Sequence, residues 1–239
     1  MNLAFKIETH AELVSTQDEM RERIERGEKV HGTVIRALQQ SGGRGTRRRD
    51  WHSAVGGSYQ TLAVRDDVGE LKRPDAAIAI ALGLAQTLPE YGVQVGIKWP
   101  NDLHYCGKKV AGILCEYVRG YLLVAVGMNV NNEVPENATA LRGLDTEGVS
   151  NFVLAGMQRG LELMMAKQSV HKLYDEYDVL AGKELEYLSN NKLMRGVGRG
   201  IDERGCLRLE SGNTVYTLCQ SEARTSLKIK EDGKRKKKD

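Results

Sequence analysis

Apolar positions in this chain fall into short separated runs, and their spacing alternates between two periods. Ser15-Thr16-Gln17-Asp18 precedes a charged, helix-favouring segment, Glu19 to Arg26, with Ser15 as N-cap and an acidic residue three positions on, close to a capping box. Val30 to Leu38 reads as a strand, and a glycine- and arginine-rich loop from Ser41 to Asp50 follows it. Ser58 to Val64 is a further strand. Asp75 to Leu88, rich in alanine and isoleucine and preceded by Pro74, predicts a buried amphipathic helix. Three strands come next, at about Val93 to Lys98, Lys109 to Tyr117 and Tyr121 to Val126. Ser150 or Asn151 can cap a helix through Leu154 to Ala166, and a shorter helix is expected near Leu173 to Tyr177.

From about Gly182 the texture changes. Glu184 to Leu188, Leu193 to Gly198, Cys206 to Leu209 and Thr214 to Leu218 read as short strands separated by turns. Leu207 and Leu209 alternate with Arg208 and Glu210, as in a half-buried strand. This is the pattern of a small β-barrel appended to an α+β domain. The expected division is a first domain over 1–181, a second over 182–229, and a basic disordered tail over 230–239. Lys228 onward is expected to fray.

A chain of 239 residues can hold one large domain or a medium and a small one. Lysine and arginine number 35 against 32 acidic residues, so charge balance alone does not point to nucleic acid. The four cysteines form no C-x-x-C pair, and Cys115 and Cys206 lie in apolar runs as small core residues. Reduced thiols and a cytoplasmic location are the simpler expectation. No signal peptide and no run long enough to span a bilayer is seen. The five histidines are scattered, and no H-E-x-x-H or clustered carboxylate motif suggests a transition metal.

Two stretches carry chemistry. In Lys98-Trp99-Pro100-Asn101-Asp102 a mostly apolar run ends at a proline and an Asn-Asp turn signal, which leaves a lysine at a strand end facing a cleft. Such a lysine is a fixed positive charge suited to an anion. The loop Gln40 to Trp51 packs three glycines and four arginines together. Glycines let backbone N–H groups approach a phosphate, and arginine adds a bidentate fork. Unbound, the loop should repel itself and be mobile. Its other readings are a solvated basic loop and a nucleic-acid patch. Trp51 is a cap for an apolar ligand or base, or a core residue. Ser15 and Thr16 are plain helix caps on the other reading, Gly127 is a packing glycine or a ligand wall, and Asn129 can satisfy backbone at a strand end.

These motifs together resemble those of the biotin–protein ligases. The pentapeptide from Lys98 matches the family signature. Gln40, Gly43, Arg44, Gly45, Arg49, Trp51 and Ser53 match Gln-x-x-Gly-Arg-Gly leading into Gly-Arg-x-Trp-x-Ser. Thr46 stands where many relatives carry arginine, and Arg48 replaces a glycine. Ser15-Thr16-Gln17-Asp18 resembles Ser-Thr-Asn-Asp, Gly56-Gly57-Ser58 a glycine pair entering a strand, and Val110 to Glu116 and Gly127 to Asn131 two further segments. Gly198 to Asp202 with Gly205 and Leu207 resembles the family's SH3-like C-terminal barrel. The resemblance spans about residues 10 to 226.

It implies an α+β fold: a class II synthetase-like catalytic domain, a mixed sheet with flanking helices, plus the small SH3-like barrel. It implies a two-step reaction with ATP and Mg²⁺. Biotin is activated to biotinyl-5′-AMP and then transferred to a lysine of a biotin carboxyl carrier protein. Lys98 and Arg44 would be catalytic. Biotin would meet Ser15, Thr16, Gln40, Gly43, Arg44, Trp51, Gly57, Lys98, Gly112 and Leu114. ATP would meet Arg44, Arg47, Arg49, Trp51, Lys98, Asn101 and Asn129, and Asp102 would reach Mg²⁺. The chain begins too close to the Ser-Thr motif for the N-terminal DNA-binding module of some relatives, no membrane partner is expected, and a homodimer through sheet edges is open. The alternatives are a lipoate or octanoate ligase, a nucleic-acid-binding module using the arginine loop, and a catalytically silent biotin-binding relative.

Overall fold

The computed structural model describes residues 4–189, 192–220 and 227–229. A seven-stranded sheet runs in the order β1 (Lys6–Leu13), β2 (Thr33–Gln40), β3 (Ser58–Arg65), β7 (Tyr121–Met128), β6 (Lys108–Val118), β5 (Asp102–Tyr105), β4 (Gly96–Lys98). Only β1 and β2 pair in parallel; the other neighbours are antiparallel. β3 lies inside the sheet and is buried on both faces from Ser58 to Val64. One face carries α1 (Thr16–Glu25) on Met20, Ile24, Ile35 and Leu123. The opposite face carries α2 (Ala76–Thr87) and α3 (Thr146–Met165), with α4 (Val170–Tyr174) beside them.

α1 starts as its sequence predicts: the Ser15 side chain accepts from the Asp18 amide at 3.3 Å. The α2 helix is buried around its whole circumference from Ala76 to Ala85, where an amphipathic stripe was expected. It is sandwiched between the sheet and α3. Gly83 lies against the backbone of Gly156 and Gly160, so close that an added Cβ would sit 2.2 Å from the Gly156 carbonyl oxygen. α3 begins earlier than expected. Asp145 is its N-cap, accepting from the Gly148 amide at 2.6 Å. Ser150 lies inside the helix, its hydroxyl bonded to Ser58 Oγ at 2.8 Å.

The C-terminal strands β8 (Glu184–Ser189), β9 (Lys192–Ile201), β10 (Leu207–Ser211), β11 (Thr214–Leu218) and β12 (Lys228–Ile229) form a sheet of order β11-β10-β9-β8-β12. Among the described residues this sheet is open, where a closed barrel was expected. β12 contributes two residues paired to β8 and does not return to β11. Lys228 and Ile229 are thus strand residues, not the start of a frayed tail, and the tail call over 230–239 lies outside the described residues. The sheet joins the main core through Leu185, Ile201 and Leu207. The Trp99 indole N–H donates to the Gly205 carbonyl at 2.9 Å. Cys206 is bonded to Cys219 in a disulfide, so the reading of Cys206 as a reduced core thiol is corrected. Leu207 begins a strand whose partner ends at Leu218, and this register brings the two flanking cysteines together. Cys106 and Cys115 are free, and burial pushes the Cys115 thiol up to about 12. No helix among the described residues is long and apolar enough to cross a membrane.

Candidate functional site

The hairpin of β4 and β5 turns through Trp99, Pro100 and Asn101 and registers Lys98 opposite Asp102. Its outer edge is satisfied: the Ile97 amide donates to the Tyr177 carbonyl at 2.7 Å, and the Val179 amide to the Ile97 carbonyl at 3.1 Å. Asn101 is buried and braces the turn against β6, its side chain donating to the Ile113 carbonyl at 2.8 Å. Lys98 therefore stands on a fixed support, half-buried at the rim of a cavity of about 420 Å³, a volume in the range of small-ligand pockets. Burial holds its ammonium below the ordinary lysine range; Asp102 opposes that shift and the charge of Lys109 adds to it.

The arginine loop forms the facing wall. Its charges should drive it apart, yet it is tied at the base. The Trp51 amide donates to the Gly43 carbonyl at 2.8 Å and the Gly45 amide to the Arg49 carbonyl at 2.7 Å. A single 3₁₀ turn spans Thr46–Arg48, and Arg47 takes a φ of 62°, an uncommon conformation for a residue with a side chain. Burial, then the neighbouring charge of Arg49, lowers Arg47 from the usual guanidinium range. Arg44 reaches Asp18 of α1 at 2.7 Å. Gln40 clips the site together: its Oε1 accepts from the Thr16 amide at 2.8 Å, and its Nε2 donates to Ser53 Oγ at 2.8 Å.

The cavity brings together Ser15, Thr16, Gln40, Arg44, Arg47, Arg49, Trp51, Lys98, Asn101, Asp102, Gly112 and Leu114. Three expected residues stand apart from it. Gly43 is buried behind the loop, where a Cβ would meet Ser53 Oγ and the Trp51 carbonyl at 2.5 Å. Gly57 packs on the Tyr59 ring, where a Cβ would stand 2.1 Å from the Tyr59 hydroxyl oxygen. Asn129 is buried, its amide donating to the Thr139 carbonyl at 3.1 Å. Asp102, expected at a metal, pairs with Lys109 at 2.7 Å.

Lys109 and Gln17 are polar residues of the wall that sequence reasoning did not place in the site. Lys109 lies beside Asp102 with its ammonium 5.1 Å from the Trp51 ring centroid. Gln17 is buried, its Nε2 donating to Glu116 at 3.1 Å, while its Oε1 has no partner among the described residues. The buried Trp51 indole N–H is likewise unpartnered among the described residues. Orphaned acceptors and donors of this kind are rare and costly, and a ligand with both groups would satisfy them. Gly127 completes the floor: a Cβ there would sit 2.5 Å from Trp51 Nε1. Gln220 and Leu227 of the C-terminal segment reach the same cavity.

The chain is similar to known proteins in sequence and in fold. The family model described as "Biotin/lipoate A/B protein ligase family" matches residues 11–132. Over 231 residues the chain is 31% identical to the bifunctional ligase/repressor BirA of Bacillus subtilis, covering 87% of this chain and 70% of the relative. It is 29% identical to the biotin–[acetyl-CoA-carboxylase] ligase of Mycobacterium tuberculosis, covering 89% and 86% respectively. The solved biotin protein ligase from Aquifex aeolicus in complex with biotin and ATP superposes with a TM-score of 0.80 at 25% identity, covering 94% of this chain and 99% of that one.

Proposed function

The chain belongs to the biotin/lipoate A/B protein ligase family, and from that premise we propose that it is an ATP-dependent biotin–protein ligase. It joins biotin to ATP as biotinyl-5′-AMP and passes the biotinyl group to a lysine of a biotin carboxyl carrier protein. The observation that carries this reading is the half-buried Lys98 facing an arginine loop and a tryptophan across one cavity.

In the first step a biotin carboxylate oxygen attacks the α-phosphorus and pyrophosphate leaves. Both reactants are anions, so neutralising and aligning them is the main task. Lys98 bridges the carboxylate and the α-phosphate. Arg44, Arg47 and Arg49 cover the phosphates; Arg44 exchanges Asp18 for them. Ser15, Thr16, Gln40 and the orphaned Gln17 Oε1 meet the ureido ring, and Trp51 packs over it against Gly112 and Gly127. In the second step the acceptor lysine's amine attacks the acyl carbon and AMP leaves. The closed loop keeps water from the anhydride.

The donor set does not fit a resident Mg²⁺. Among the described residues no three metal-ligating side chains cluster, and Asp102 is engaged by Lys109. Charge neutralisation by Mg²⁺ would therefore have to be supplied together with ATP and not by a site on this chain. The C-terminal sheet, through Gln220 and Trp99's contact at Gly205, is the counterpart of the family's SH3-like module and helps shape the cavity mouth.

Transfer of labelled biotin to a carrier domain tests this reading. It should require MgATP and should not be matched by lipoate. Lipoate transfer in preference to biotin would favour the lipoate-ligase reading; no transfer of either would refute ligase activity.

A further inference from the structure

Lys109 is a cation that neither the sequence reading nor the proposed chemistry uses, although it lies in the cavity wall. Its ammonium makes two contacts at once. It is 2.7 Å from Asp102 Oδ1 and 5.1 Å from the centre of the Trp51 ring. Asp102 is the residue registered directly across the hairpin from Lys98, and among the described residues its ion pair is with Lys109. Gly112 lies beside both groups: a Cβ there would stand 3.5 Å from Lys109 Nζ, an ordinary contact, and 3.1 Å from the Trp51 ring. The β-bulge between Leu103 and His104 shifts the register of β5 on β6 beside this pair.

We propose that Lys109 is a positioning residue for adenylate formation. It draws the Asp102 carboxylate away from Lys98, leaving Lys98 unpaired for the two substrate anions, and it holds Trp51 flat against the glycine floor. The proposal rests on the ligase reading for its catalytic consequence, but its electrostatic core belongs to the free protein. A lysine ion-paired to a neighbouring carboxylate would have to give up that pair before taking an anion. With Lys109 in place the pair is made elsewhere. A cation over the face of an indole is also attracted by the ring, which orients the ring as well as the ammonium.

The titratable groups around Lys98 are Asp102 and His104 on β5, Lys109 on β6, and Arg44, Arg47, Arg49 and Asp50 across the cavity. The α2 helix beneath brings no charged side chain. Replacing Lys109 with methionine keeps much of the stem and removes the charge. Lys98 then loses a like charge and gains Asp102 undivided, and both changes favour its protonated form.

The test is the titration of Lys98 in the unliganded protein, followed through its ammonium ¹⁵N resonance, in wild type, Lys109→Met and Lys109→Arg. Lys98 should titrate at higher pH in Lys109→Met and return toward the wild-type value in Lys109→Arg. In parallel, biotin-dependent pyrophosphate exchange should lose about tenfold in kcat in Lys109→Met, short of the roughly hundredfold cost of a full 1 Å misplacement, with partial recovery in Lys109→Arg. An unchanged Lys98 titration in folded Lys109→Met overturns the proposal whether or not the protein is a ligase. A shifted titration with wild-type exchange kinetics overturns the positioning role. Absence of exchange in wild type itself would instead count against the ligase reading, while the titration still decides the Lys109–Asp102–Lys98 coupling.

Discussion

Alanine at Gly127 is the sharpest test of the cavity's geometry. The added Cβ would lie 2.5 Å from Trp51 Nε1 and 2.7 Å from Cε2. Ordinary carbon contacts lie at about 3.5–4.0 Å, so the indole must retreat by about 1 Å. Retreat is resisted: the Trp51 amide is tied to the Gly43 carbonyl at 2.8 Å, and Lys109 sits over the ring. Overpacking of this kind costs about 1–3 kcal/mol of stability. A displacement of about 1 Å near reacting groups costs about a hundredfold in rate, or about 2.7 kcal/mol in the barrier. Gly112→Ala is the internal control. Its Cβ would stand 3.1 Å from the ring, so a shift of a few tenths of an ångström suffices and the loss should be much smaller. The assay is biotin-dependent ATP–pyrophosphate exchange, with tryptophan emission reporting the ring; Trp99, the other of the two tryptophans, is buried beside Gly205 and should not respond. Unchanged kcat/KM for biotin in Gly127→Ala would refute the packing argument, as would greater damage from Gly112→Ala.

Three further outcomes follow from the same structure. Since burial lowers Lys98, its charge is present below its depressed pKa and lost as pH rises through it. Exchange should therefore decline on the alkaline side before the ordinary lysine value of 10.5; activity holding level past that pH would contradict the assignment. Trp99→Phe leaves the Gly205 carbonyl without its indole donor and should lower stability by about 1–3 kcal/mol in denaturant titration, whereas a wild-type midpoint would show that the contact contributes nothing. Protein purified without reductant and then denatured should expose two titratable thiols, Cys106 and Cys115; finding all four would refute the Cys206–Cys219 pairing.

What the sequence made legible was whatever has a local cause. The Ser15 cap, the central strand from Ser58 and the strand-end placement of Lys98 each follow from residues within a few positions. β1 was invisible because Lys6–Leu13 is an edge strand, largely exposed, whose charges interrupt any apolar alternation. The short β5 hid behind the Asn-Asp turn signal. The full burial of α2 depends on Gly156 and Gly160, about seventy residues away, so no local period could disclose it. Most of the proposed site residues do converge on one cavity, because they lie at the ends of adjacent elements. Gly57 packs on Tyr59 and Asn129 donates to the Thr139 carbonyl, and the use of Lys109 and Gln17 depends on partners distant in sequence or on a neighbouring strand, Glu116 and Asp102, that only the fold supplies.

The central claim is that Lys98 joins two anions in this cavity. Pyrophosphate exchange into ATP, dependent on biotin and compared between wild type and a folded Lys98→Ala variant, tests it most directly. Exchange is expected in wild type, with near-complete loss in the variant. Near-normal exchange in folded Lys98→Ala would contradict it.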